Sequence, residues 1–79
     1  MSNEVIKLYY TMWCEAWKRF RKWLKEHDTS TEYASAVEKE MREFIDTWKP
    51  HGIGEFTENL MKDIYAELAY SKFNEEENK

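Results

Sequence analysis

Cysteine, proline and glycine are nearly missing from this chain: Cys14, Pro50, Gly52 and Gly54 are the whole supply among 79 residues. A lone cysteine has no partner for an internal disulfide, and a reducing cytoplasm is the expected setting. The N-terminus lacks a basic segment followed by a long apolar run, so no secretory leader is expected. The longest uncharged run, Leu8 to Cys14, falls far short of the roughly 20 apolar residues that a membrane span requires. A soluble chain without a membrane partner is the expectation. Internal repeats, low-complexity segments and strand alternation of useful length are absent as well.

Reactive constellations are equally scarce. Catalysis needs a positioned acid, base, nucleophile or metal, and no HExxH or CxxC spacing supplies one. His27 is expected to meet the last carbonyls of a helix and His51 to lie in a loop. Cys14 stands near cations that would favour its thiolate, yet no histidine or second cysteine accompanies it. The GIG segment lacks the lysine of a phosphate loop and reads as a turn. No enzyme activity, metal or cofactor is expected.

What is present is aromatic and charged: 42% of the residues are hydrophobic, 35% are charged, and thirteen are Trp, Tyr or Phe. A chain of this size forms one domain with a single, barely sufficient core. The net charge of -4 conceals an asymmetry. Met1 to His27 carries six Lys or Arg against three Glu, a net of +3, whereas Asp28 to Lys79 carries six basic residues against thirteen acidic ones, a net of -7. Segments of such opposite sign complement one another within a chain or between two copies.

The apolar pattern predicts three helices, at about residues 3–27, 30–48 and 56–73, with a frayed tail over 74–79. In the first, Ile6, Tyr10, Trp13, Trp17, Phe20, Leu24 and His27 alternate spacings of four and three. Asp28, Thr29 and Ser30 should stop it, and Thr29 with Glu32 has the spacing of a capping box. Tyr33, Val37, Met41, Phe44 and Trp48 form the stripe of the second helix, beside Ala34 and Ile45. Pro50 and the two glycines then break the chain. The third carries Phe56, Leu60, Ile64 and Leu68, flanked by Met61, Tyr65, Ala69 and Phe73. The fold class is all-α: a three-helix, bundle-like domain with antiparallel neighbours. Its first helix is too long for the other two, leaving about two turns uncovered.

On a wheel of about 100° per residue, Arg21, Lys22 and Lys25 fall within about 60° of Lys18, while Trp13, Trp17, Phe20, Leu24 and His27 fall between about 180° and 260°. Tyr9, Ala16 and Trp23 widen the apolar sector, which runs from Met12 near 120° to Tyr10 near 280°. On this reading aromatics and cations take opposite sides, whereas nucleic-acid modules that stack bases need both on one surface. The aromatics serve as core, and their surplus marks an interface, since Trp, Tyr and Arg are enriched there. Tyr9, Tyr10, Trp13, Trp17, Phe20 and Trp23 are the candidates for self-association or partner contact, with a symmetric dimer the commonest closed form.

For the basic surface of Lys18, Arg21, Lys22 and Lys25, four uses stand: a solvated helix back, a dock for an acidic partner, phosphate contact, or an anionic membrane surface. Glu38, Glu43, Asp46, Glu58, Asp63 and Glu67 form either a solvated acidic face or a mimic of DNA. In composition, though in no motif, the chain resembles the small proteins of phages and other mobile elements, many of which act by binding one host protein. The expected function is a helical protein-interaction module, a homodimer, that regulates or inhibits a macromolecular partner. The alternative is a nucleic-acid-binding regulator that uses the basic stripe.

Overall fold

The computed structural model describes residues 2–70, all helix and short connections, with no strand among them. Helix α1 spans Asn3–Lys25, α2 Thr31–Trp48 and α3 Gly54–Tyr70, and a single 3-10 turn, Lys49–His51, lies between the last two. Phe73 and the 74–79 tail lie outside the described residues. No helix among them is long and apolar enough to cross a membrane.

Each boundary has a chemical cause. Ser2 begins α1 by accepting a hydrogen bond from the Val5 backbone N–H at 3.3 Å. Ser30, rather than Thr29, caps α2, its hydroxyl accepting from the Tyr33 N–H at 3.1 Å. Either residue type suits the position; here Thr29 instead donates its own N–H to the Asp28 carboxylate at 2.7 Å. The first helix stops at Lys25, short of His27, whose backbone N–H still donates to the Leu24 carbonyl of that helix at 3.4 Å while its imidazole leaves the helix. It turns across the bundle, Nε2 lying 3.2 Å from the Leu68 carbonyl oxygen and the ring edge-on to Tyr33 at 5.5 Å.

The second break combines Pro50 in the 3-10 turn with Gly52 at φ +81°, a left-handed value that a side chain would strain. Gly54 is needed for space, because a Cβ there would come within 2.7 Å of Lys49 Cγ and 3.2 Å of its Cα. Helix α3 starts at Gly54, earlier than the aromatic pattern implies, and Thr57 secures that start. Its hydroxyl donates to the Ile53 carbonyl at 2.8 Å, so this buried polar group is satisfied.

The core is a line from each helix: Met12, Ala16 and Trp23; Val37, Met41, Phe44 and Trp48; and Met61, Ile64 and Leu68, closed by Ile53 from the turn. Contacts run Arg19 to Phe44 and Trp23 to Glu40 between α1 and α2, which are therefore antiparallel. Tyr9 meets Phe56 near one end and His27 meets Leu68 near the other, so α1 and α3 run parallel. The chain thus goes up, down and up. At 23 residues against 18 and 17, α1 exceeds its neighbours by about 8 Å. Its first turn, carrying Val5 and Ile6, projects past the level of Gly54, which opens α3 two residues before the Phe56 that meets Tyr9.

Candidate functional site

The rotation of α1 decides which aromatics remain free. Its apolar sector covers about 160° of the wheel, more than two neighbouring helices can enclose. The bundle takes the half centred near 150°, where Ala16 is small enough for close approach and Met12 and Trp23 fill the space on either side. The half from about 220° to 280° is left outside. Ile6 is 53% exposed, Tyr10 69%, Trp13 47% and Trp17 53%. This corrects the stripe read from the sequence, since its first four members point away from the core and not into it.

Among the six aromatic candidates the structure makes a clear division. Tyr10, Trp13 and Trp17 form one open line on successive turns. Tyr9 and Phe20 are half-buried along its inner border, with Phe20 edge-on to Trp17 at 6.2 Å. Trp23, 1% exposed, is part of the core and not of the open line. Its indole N–H donates to Glu40 Oε2 at 2.9 Å, and its backbone carbonyl accepts from the Tyr33 hydroxyl at 2.7 Å. Burial is the main reason the Tyr33 hydroxyl holds its proton above the usual tyrosine range.

Phe56 joins the surface, although the spacing in α3 assigns it to the inner stripe. It is 41% exposed and packs edge-on against both Tyr9 at 5.2 Å and Trp13 at 6.1 Å. Thr57 takes the inward position beside it. A polar residue in an apolar row hides that substitution from pattern reading. The open surface therefore has two sources, four turns of α1 and the first turn of α3.

Charges border this surface on both long edges. Arg21, near 300° on the wheel, is about 40° from Trp17, and Lys7, Lys25 and Lys18 follow within another 60° or so. The exposed aromatics and the cations are thus adjacent, which corrects the opposition inferred from the whole apolar sector. Lys18 reaches Glu15 at 3.4 Å, and Lys22 pairs with Glu40 at 2.6 Å. Lys7, Arg21 and Lys25 have no ion pair among the described residues. Hydrogen bonding from Arg19, then attraction from Lys18, holds Glu15 below the usual carboxylate range. On the far edge, α3 presents exposed Asp63 and Glu67 on the same helical face as Phe56 and Leu60, at spacings of four and three.

Cys14 lies half-buried at the cationic edge, one turn beyond Tyr10. A hydrogen bond with this thiol is the first reason the Tyr10 hydroxyl is pushed above its ordinary value. His51 and Glu55 stand four residues apart, but Gly52 turns the chain between them, so they do not share a helical face. Among the described residues no group of three or more His, Cys, Asp or Glu is placed to hold a metal ion. No protein-family model, curated protein or solved structure matches the chain.

Proposed function

We propose that this chain acts by binding, as a small helical protein-interaction module that regulates or inhibits a macromolecular partner through the open face of α1. The observation that carries the reading is the exposed line Ile6, Tyr10, Trp13 and Trp17, extended by Phe56. Aromatic side chains of this size bury about 150 to 250 Å² when covered, and each of these is about half open. At roughly 25 cal/mol per Å², leaving such a residue uncovered forgoes about 2 kcal/mol. Together they offer on the order of 500 Å², at the upper end of the largest apolar patch on a typical monomer. A second protein surface supplies the missing cover.

The test is to remove the face while keeping the fold. In a Tyr10→Lys, Trp17→Glu double variant, circular dichroism should match the parent, and so should the melting temperature at a dilution where the parent is monomeric, while light scattering at higher concentration should show association lost. A variant that melts far lower would make these residues part of the core, and one that still associates would place binding elsewhere. Either result would end this reading.

One observation favours a second reading, contact with nucleic acid: Trp17 and Trp13 lie beside Arg21, Lys25 and Lys18 on one surface, as stacking and phosphate contact require. Reversing Arg21 and Lys25 to Glu should then abolish a salt-sensitive mobility shift with single-stranded DNA or RNA. If the parent gives no such shift, the second reading is gone.

A further inference from the structure

We infer that the occupant of the α1 face is a second copy of this chain, with the two α1 helices side by side, parallel and in register. This rests on the binding role proposed for that face and adds its partner and geometry. Three observations converge on it.

The first is spacing. Ile6, Tyr10, Trp13 and Trp17 are separated by four, three and four residues, the step of a coiled-coil seam, and all four are open. A self-pairing helix needs such a seam on the side not used by its own bundle. The projecting first turn carries Ile6 past the end of α3, so a second α1 reaches it without steric hindrance from that helix.

The second is the sign of the edges. One border is cationic, with Arg21 and Lys25 on α1, and the other is acidic, with Asp63 and Glu67 on α3. A two-fold axis perpendicular to α1 turns one copy end over end and sets cationic edge against cationic edge. A two-fold axis along α1 exchanges the borders, so each cationic edge meets an acidic one. Only the second gives parallel helices.

The third is level. Tyr9 and Phe56 fix the relative height of two parallel helices that rise about 1.5 Å per residue. Counting eleven residues on along each brings Phe20 level with Glu67, and seven on brings Ala16 level with Asp63. In register, Arg21 of one copy stands within about one residue of Glu67 of the other, and Lys18 within about two of Asp63. None of Arg21, Asp63 and Glu67 has an ion pair among the described residues. These borders add area to an aromatic surface that alone falls below the roughly 800 Å² per partner of a standard interface.

Crosslinking and mass test this together. In a Cys14→Ser background, Ile6→Cys places its thiol beside its own symmetry mate in the parallel dimer. In an end-over-end pair Ile6 faces Trp17 instead, about 16 Å of helix from its mate, too far for a disulfide. The expected result is a dimer by light scattering, converted by mild oxidation to a covalent dimer. Arg21→Glu should weaken dimerisation about tenfold through two symmetry-related pairs, and adding Glu67→Lys should restore it.

A dimer that Trp17→Glu dissociates but Ile6→Cys does not crosslink would overturn the parallel arrangement and leave the face as the binding site. A parent that is monomeric at all concentrations and salts would overturn the second copy as occupant, again leaving the face free for another protein. A dimer indifferent to Trp17→Glu would overturn both.

Discussion

At the scale of single residues, Glu40 does more than its position in the sequence suggests. It is one carboxylate with two donors from α1, the Trp23 indole at 2.9 Å and the Lys22 ammonium at 2.6 Å. Partial burial pushes its pKa up, the Lys22 and Trp23 hydrogen bonds outweigh that effect, and the net shift is downward. Lys22 is shifted upward, first by its hydrogen bond to Glu40. A lowered carboxylate contributes stability above its unfolded pKa and loses it as pH falls through the folded value; a raised lysine contributes below its unfolded pKa and loses it as pH rises through the folded value. The pair should therefore support the fold between about pH 5 and 10 and weaken at both ends. Glu40→Ala leaves the enclosed Trp23 N–H without its partner, a loss of about 1 to 3 kcal/mol. In urea unfolding at pH 7 the midpoint should fall accordingly, and the acid limb of the stability profile should flatten. An unchanged midpoint would mean that water replaces the carboxylate at the indole.

Helix by helix, the connections are specified by very few residues. Gly52→Ala places a side chain at φ +81° and should destabilise by about 1 kcal/mol. Ser30→Ala removes the α2 cap and should cost about the same. In thermal unfolding each change should lower the melting temperature by about 4 to 8 °C. Ser30→Thr retains the capping oxygen and should leave it nearly unchanged. Much of this level was legible in the sequence, because Pro50 with two glycines, and Asp28 with Thr29 and Ser30, announce the breaks by local chemistry. Helix rotation was less legible. A spacing of three and four identifies a stripe, but in α1 the apolar sector is wide enough to contain two stripes, and periodicity cannot rank them. What ranks them is tertiary: Ala16 permits close approach, and Glu40, seventeen residues from Trp23, satisfies its indole. Phe56 was misplaced for a related reason, since Thr57 takes the inward position with its hydroxyl bonded to Ile53.

For the whole molecule, the two aromatic stripes of α1 should answer differently to the same kind of mutation. Trp23→Ala opens a cavity in the core and should destabilise by about 3 to 5 kcal/mol, enough to unfold much of a domain whose total stability is of order 5 kcal/mol. Trp17→Glu should act on association, leaving the melting temperature within a few degrees of the parent at a dilution where both are monomeric. Chemical denaturation and light scattering on both variants, side by side, check the division. Equal loss of stability in the two would erase the distinction between an inner and an outer face. The candidate set drawn from the sequence was therefore partly a core set, because aromatic surplus can be counted in a sequence while its distribution between inside and outside cannot.

The tryptophans are divided evenly, with Trp23 and Trp48 enclosed and Trp13 and Trp17 open. That gives the protein a built-in optical reporter: two indoles emit from an apolar interior and two from the contact face. Iodide should quench only the second pair in the free chain, and whatever settles on α1 should shield that pair and shift its emission to the blue, without any added label.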